Sequence, residues 1–376
     1  GQSEGNVRAD FTAVQHALQL DAVKGTPEHE VLLAIREMKA VKTRFQLYYE
    51  PYPLHKHWID GRIHSQLGKN RTVTRRFAPN NVNLNQIPKR KDGGKIRSLF
   101  IAPPGYLWVS ADWSGQELRL SAEVSGDEAL TSCYVGENKK NAHALTAAGI
   151  AKRRGLEIGD YSKFMEAKNN NDPEAIAIYD KAKAVNFGTT YGCQAPKLAE
   201  MLVIELEEAQ EYLDTKNKVF HGLAEWQETS KRDAHKYGYS KTLLGARRHL
   251  KKALTSTNKW EVLAAERQAG NATIQGSGAE MCKASINAMY RDGRLAEKGG
   301  YLTFPVHDEG NFLVPIDNAW PAIKLIHECM TQQYADMKIP LESELSVGRS
   351  FGELIKVGTN PTEESVMAAI KKVQES

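Results

Sequence analysis

Cysteine is scarce in this chain, and the four that occur, Cys133, Cys193, Cys282 and Cys329, lie far apart with no CxxC pair. Neither a zinc set nor a disulfide framework is indicated, so reduced, mostly structural thiols are expected. Long apolar runs are absent as well. None approaches the roughly 20 residues of a membrane span, and the opening Gly1-Gln2-Ser3-Glu4-Gly5 has no signal-peptide pattern. A cytoplasmic protein that does not engage a membrane is the expectation. No internal repeat and no low-complexity tail appears, and the formal charge of +4 is too small a surplus to identify a partner. What is present, 376 residues with 41% hydrophobic and 26% charged content, suits a globular chain of two or three units or one large multi-lobed fold.

The distribution of charge says more than its sum. From Lys69 to Arg97, the basic residues Lys69, Arg71, Arg75, Arg76, Lys89, Arg90, Lys91, Lys95 and Arg97 face a single acid, Asp92. A second cluster comprises Lys231, Arg232, Lys236, Lys241, Arg247, Arg248, Lys251 and Lys252. Either alone could be a solvated face; together, interleaved with Asn, Gln and Thr, they fit a surface that tracks a phosphate backbone.

Residues 9–50 carry helical periodicity. Asp10 is placed to cap a helix through Leu20, and Pro27 opens a second with Val31, Leu32, Ile35, Met38, Val41 and Phe45 at helical spacing. These read as packed helices with a charged outer face. Residues 106–112 read as a strand that runs into a helix over 114–124, leaving Asp112 either at a chemically useful strand end or as a helix N-cap. Residues 141–254 are predominantly helical, and within them 174–191 form one long helix on which Lys183, Phe187 and Tyr191 share a face at i, i+4 and i+8. A cation followed by two aromatics suits a triphosphate with a base stacked beyond it, although an aromatic stripe can equally be core. Arg267, Asn271 and Gln275 repeat the spacing in a helix over 260–290 and could span a nucleic-acid groove edge.

The segment from Tyr301 to Val314 reads as a hairpin whose turn is His307, Asp308 and Glu309, with Gly310 supplying the permissive φ. Two adjacent carboxylates beside an imidazole are either a solvated tip or, with a second carboxylate from elsewhere, a metal site. A helix over 318–337, an edge strand over 341–347 and a capped helix or frayed tail from Thr359 complete an expected α+β order around one sheet.

Four segments occur in a fixed order: Asp112-x-Ser114-x-x-Glu117-Leu118-Arg119, Lys183-x-x-x-Phe187-Gly188-x-x-Tyr191-Gly192, Arg267-x-x-x-Asn271-x-x-x-Gln275-Gly276 and Val306-His307-Asp308-Glu309. They resemble those of the family A DNA polymerases, the group of bacterial DNA polymerase I and its phage relatives. Residues 83–90 look like the segment before that family's first palm strand, and 242–248 like a fingers-to-palm signature. The resemblance implies a right-hand architecture with an antiparallel palm sheet, helical fingers and a short or partial thumb. In this chain it puts the partial thumb at 1–78, the palm at 79–140 and 255–376, and the fingers at 141–254.

It also implies template-directed transfer of dNTPs to a primer 3′-OH with two Mg²⁺ ions, Mn²⁺ serving as a substitute. Asp112 and Asp308 would hold the metals, with the Trp113 backbone carbonyl as a further ligand and Glu309 in support. Lys183 would contact the phosphates and assist the leaving group, Phe187 would border the sugar and base, Tyr191 would stack at the templating position, and His143 would add a phosphate contact. Glu117 resembles a steric gate against a ribose 2′-OH. Arg90, Arg267, Asn271, Gln275 and His307 would hold the primer-template DNA.

Departures from the family pattern narrow the picture. Tyr179 stands where Arg is usual four residues before the fingers Lys, so that contact is missing or supplied by another residue such as Lys181. Trp113 replaces Tyr, Arg75 replaces Gly and Asn141 replaces Asp, while Phe187 suggests discrimination against dideoxynucleotides. The Ser114–Glu117 variant looks closer to phage enzymes, which would place the protein in a bacterial host's cytoplasm. No room for a proofreading domain of roughly 200 residues precedes residue 30. The expectation is therefore a fragment of a longer chain, or a compact enzyme that leans on a processivity or replication partner. A single-subunit RNA polymerase relative is opposed by Glu117 and Glu309, and a non-catalytic template-binding module by the retention of both carboxylates and Lys183.

Overall fold

The computed structural model describes Ala13, Val14, Ala17, Leu18, Leu20 and residues 22–53, 58–89, 93–190, 192–334 and 336–375. The expected cap at Asp10, together with Arg90 and Tyr191, lies outside the described residues. The first labelled helix, α1 (Pro27–Arg44), begins with Thr26 as N-cap and Pro at its first position, where a missing N–H costs nothing. It buries no residue, and Val31, Met38, Val41 and the following Phe45 are exposed. The expected packed helix is thus corrected to one that packs only in part, with Leu32 and Ile35 half-buried and the rest of its apolar row exposed.

The sheet that organises the fold begins with β1 (Tyr106–Trp113), followed by α2 (Gln116–Ser125). A helical lobe comes next, containing α3 (Ala142–Arg153), α4 (Pro173–Thr190), α5 (Leu206–Val219) and α6 (His221–Tyr237). A 34-residue helix, α7 (Lys259–Asp292), returns the chain to the sheet. There β2 (Tyr301–Val306) and β3 (Glu309–Pro315) form the hairpin, and α8 (Ala319–Thr331), β4 (Ser343–Gly348), β5 (Leu354–Gly358) and α9 (Glu363–Glu375) follow.

Five antiparallel strands lie in the order β5-β4-β1-β3-β2. The predicted edge strand over 341–347 is therefore interior, because β5 covers it. The helix predicted for 318–337 ends at Thr331, where the next residue turns to extended backbone (Gln332 ψ 143).

Alternation along β1 decides what each sheet face does. Leu107, Val109, Ala111 and Trp113 enter the main core with Ile274, Met281 and Cys282 of α7, Ile323 and Ile326 of α8, and Ile370 of α9. Trp113 is further fixed by its indole N–H, which donates to the Met330 carbonyl at 2.7 Å. On the other face Trp108 stacks on Phe351 at 5.5 Å between ring centroids and meets Phe304 edge-on. Ser110 and Asp112 follow Trp108 on that same face by period. The apolar end of the strand anchors the sheet, and the polar end is left for chemistry.

The helical lobe has its own core. Ala144, Ala147, Ala148 and Ala151 of α3 pack with Ala175, Ile178, Ala182 and Val185 of α4. Small side chains let these helices approach closely and hold the polar rows of α4 in a defined orientation.

Candidate active site and nucleic-acid interface

Register brings the carboxylates together. Asp112 lies directly opposite Glu309 in the β1–β3 ladder, and the Trp113 N–H donates to the Asp308 carbonyl at 3.2 Å. Asp308 occupies the β2–β3 turn, so three acids from two distant segments meet at one sheet end. The turn itself differs from expectation. It is His307-Asp308 alone, and Glu309 is the first residue of β3, paired with Val306. The left-handed backbone belongs to His307 (φ 55), as suits the positive φ of a tight two-residue hairpin. Gly310 serves a different need: a Cβ there would stand 2.7 Å from the buried Phe312 ring.

Asp112 is no helix N-cap, since Gly115 holds that position with φ 61. Burial first, then the Asp308 and Glu309 charges, push its carboxyl up to about 7, while Lys89 opposes the shift from 3.4 Å. Glu309 is buried and accepts from the Ser110 hydroxyl at 2.7 Å. Arg97 is a further cation near the acids, partly neutralising Glu309 and Asp112. It is held by the Pro88 and Ile87 carbonyls at 3.1 and 3.2 Å and sits 4.1 Å from the Phe351 ring centroid. The sequence placed Lys89 and Arg97 in a basic cluster without pairing either with Asp112.

The donor set bears on metal binding. Among the described residues no group of three or more His, Cys, Asp or Glu side chains forms a closed metal cage. Two aspartates with an under-compensated negative charge instead fit an ion that completes its shell with substrate oxygens. Mg²⁺ is typically bound in that manner, through one or two carboxylates plus phosphates.

Glu117, in the first turn of α2, is buried and hydrogen-bonds Arg76. The α4 row forms a second group. His143 is tilted against Phe187 at 5.2 Å and edge-on to Tyr179 at 6.0 Å. Its Nδ1 lies 3.1 Å from the amide of buried Asn186. Burial and the Lys183 ammonium hold His143 well below its ordinary value, at about 4, so the imidazole is neutral near pH 7. Tyr179 donates to Asn141 Oδ1 at 3.4 Å, and Lys168 Nζ stands 4.7 Å from its ring centroid. Lys181 turns away to Glu208 at 3.5 Å. Beside Tyr179, where the family's Arg is absent, the nearest cation over the ring is Lys168. No hydrogen bond or ion pair joins the Lys183 group to the carboxylates among the described residues.

The α7 row is reached from α4 at Gly192, where a Cβ would lie 3.5 Å from the Arg267 side chain. Arg267 and Asn271 line a cavity of about 150 Å³, and the buried Asn271 Oδ1 has no hydrogen-bond partner. Gln275 is buried. The two basic clusters meet in a separate groove of about 750 Å³, with Asn70, Thr72 and Arg75 on one wall and Arg247, Arg248, Lys251 and Lys252 on the other.

A family model described as DNA polymerase family A matches residues 10–353. The chain belongs to DNA polymerase family A. Among its relatives, the thermostable DNA polymerase I of Thermus filiformis is 33% identical over 338 residues, which are 89% of this chain and 37% of that protein. DNA polymerase I of Chloroflexus aurantiacus is 34% identical over 299 residues, 78% of this chain and 29% of that one. The solved POL domain of Pol1 from M. smegmatis, in complex with DNA primer-template and dNTP, is 30% identical with a TM-score of 0.76, covering 92% of this chain and 56% of that chain. The chain thus spans about a third of the length of the curated relatives it matches. The five-stranded antiparallel sheet and the separate α3–α6 helical lobe accord with the right-hand, α+β architecture of that family.

Proposed function

We propose that this chain carries a DNA-directed DNA polymerase site that joins dNTPs to a primer 3′-OH on a template strand. The observation that carries the reading is the meeting of Asp112, Asp308 and Glu309 at one end of the palm sheet, where burial and then the neighbouring negative charges push Asp112 up to about 7. Asp112 and Asp308 would hold two Mg²⁺ ions, which when bound supply an acidified 3′-hydroxyl and a neutralised triphosphate.

The protein's own groups do the rest. Lys89 stands at Asp112 and offsets part of its charge before substrate arrives. Lys183, beside a neutral His143, presents a cation and a hydrogen-bonding imidazole to the phosphates. Half-exposed Phe187 offers an apolar face to sugar and base. Glu117, buried at the start of α2, takes the 2′ side of the sugar. Arg267, Asn271 and Gln275 form the template-primer row, and the basic groove takes strand phosphates without reading sequence.

Primer extension with Mg²⁺ and dNTPs tests the reading. Asp308→Asn is expected to remove extension while leaving primer-template binding in place. Equal extension by Asp308→Asn and wild type across salt concentrations would refute it. Incorporation of rNTPs as fast as dNTPs would move the reading to an RNA polymerase relative.

A further inference from the structure

Residues 69–77 cross the palm helix α7 as a strap. Lys283 of α7 donates to the Lys69 carbonyl at 2.6 Å and to Asn70 Oδ1 at 3.2 Å, and it stands 5.5 Å from the Phe77 ring centroid. One α-helical turn earlier, Glu280 accepts from Arg75 at 3.2 Å and from the Thr242 hydroxyl at 2.6 Å. The strap's own turn is closed by Arg75 N–H to the Thr72 carbonyl and by the Thr72 hydroxyl to the Arg76 carbonyl, both 3.0 Å.

Arg75 adopts φ 64, a conformation that a non-glycine residue keeps only where its surroundings enforce it. The consequence falls on its neighbour. With Arg75 turned outward to Glu280, Arg76 points inward to the Glu117 carboxylate, and its charge also reaches His307 at the hairpin turn. Two adjacent arginines therefore tie carboxylates on two different helices, and only the inner one lies at the nucleotide site.

We propose that the Arg75–Glu280 pair is a positioning device for sugar selection, fixing Arg76 so that Arg76 holds the Glu117 carboxylate in one rotamer against the sugar. The inference rests on the reading of Glu117 as the group that faces the 2′ carbon. A carboxylate gripped by a guanidinium presents fixed bulk where a ribose 2′-OH would project. Released, it can swing aside or turn an oxygen to accept from that hydroxyl, and the exclusion weakens. Thr242 joins the same device by orienting Glu280.

The test is single-nucleotide incorporation of a dNTP and the matching rNTP on primed DNA by wild type, Arg75→Gly, Glu280→Gln and the double variant. Glycine accepts φ 64 without strain, so Arg75→Gly removes the ion pair without disturbing the turn. Each single variant is expected to lower the dNTP-over-rNTP ratio of kcat/KM by about tenfold, a modest loss on the scale of steric discrimination, mainly through a lower KM for the rNTP. The double variant is expected to show no further fall, because both changes cut one linkage. A ratio unchanged in both single variants overturns the inference, as does a double variant whose loss is the product of the two. A wild type that incorporates neither nucleotide refutes the polymerase reading itself, and this inference with it.

Discussion

Asp112→Asn separates the stability of the fold from the demands of its chemistry. The wild-type carboxyl is raised from 3.8 to about 7 by burial and by its two acidic neighbours. A rise of that size equates to about 4 kcal/mol against the ionised form. A third of the side chain still meets water, and solvent screening brings the expected penalty to about 2 kcal/mol. The sign follows from proton linkage. Between the unfolded and folded values the native state holds a proton that the unfolded chain has lost, so wild-type stability falls as pH rises from about 4 to about 7 and stays low above it.

Asparagine removes the charge at nearly constant volume. Urea melts at pH 8 without divalent ions should therefore show Asp112→Asn more stable than wild type by about 2 kcal/mol, with the gap closing near pH 4. Millimolar Mg²⁺ should narrow the pH 8 gap by stabilising only the wild type. The same variant should not extend a primer. An Asn variant that is no more stable at pH 8, or a gap that persists unchanged to pH 4, would refute the charge argument.

Three further outcomes are expected. Gly310→Ala places a methyl 2.7 Å from a Phe312 ring that is 1% exposed and has nowhere to move, so chemical melts should show a loss of about 1–3 kcal/mol. His143, held at about 4 by burial and Lys183, is neutral in the folded state where the unfolded chain is protonated, so wild type should lose up to about 3 kcal/mol as pH falls from 6.5 to 4. His143→Gln should remove that portion of the slope. Lys251→Ala and Lys252→Ala, at the wall of the basic groove, should weaken primer-template binding alike for all sequences and flatten the log affinity against log salt plot by about 0.9 each.

The candidate carboxylates were legible in the sequence because strand alternation and a turn are local properties. Asp112 and Asp308 follow from patterns a few residues long, and the Lys183 and Arg267 rows follow from helical spacing. The same local logic misplaced the hairpin turn. Gly310 carries the residue type of a turn, but the ladder with β1 needs Glu309 opposite Asp112, which moves the turn back by one residue and puts the positive φ on His307. Spacing showed that α1 has an apolar side and could not say whether anything covers it. The alternation of β4 revealed a strand and not its neighbours, since β5 lies beyond the Phe351 turn. Contacts such as Arg76 to Glu117 and Lys89 to Asp112 join segments separated by tens of residues, and no periodicity records them.

The helix α7 is the element through which these distant contacts become one site. At about 1.5 Å per residue, the span from Arg267 to Lys283 is roughly 24 Å. Along it stand Arg267 beside Gly192 at the end of α4, the polar Asn271 and Gln275, the strap-binding Glu280 and Lys283, and Cys282, whose thiol burial and the nearby Asp308 push up to about 12. A glycine inside a helix costs about 1 kcal/mol, yet α7 carries Gly276 and Gly278 at its middle. A Cβ at Gly276 would lie 2.7 Å from the Thr242 side chain, and one at Gly278 would lie 2.6 Å from Gln116 of α2. The two glycines let the Thr242 segment and α2 seat directly on α7, so Glu280, Thr242, Glu117 and the carboxylate turn are referenced to one rigid rod.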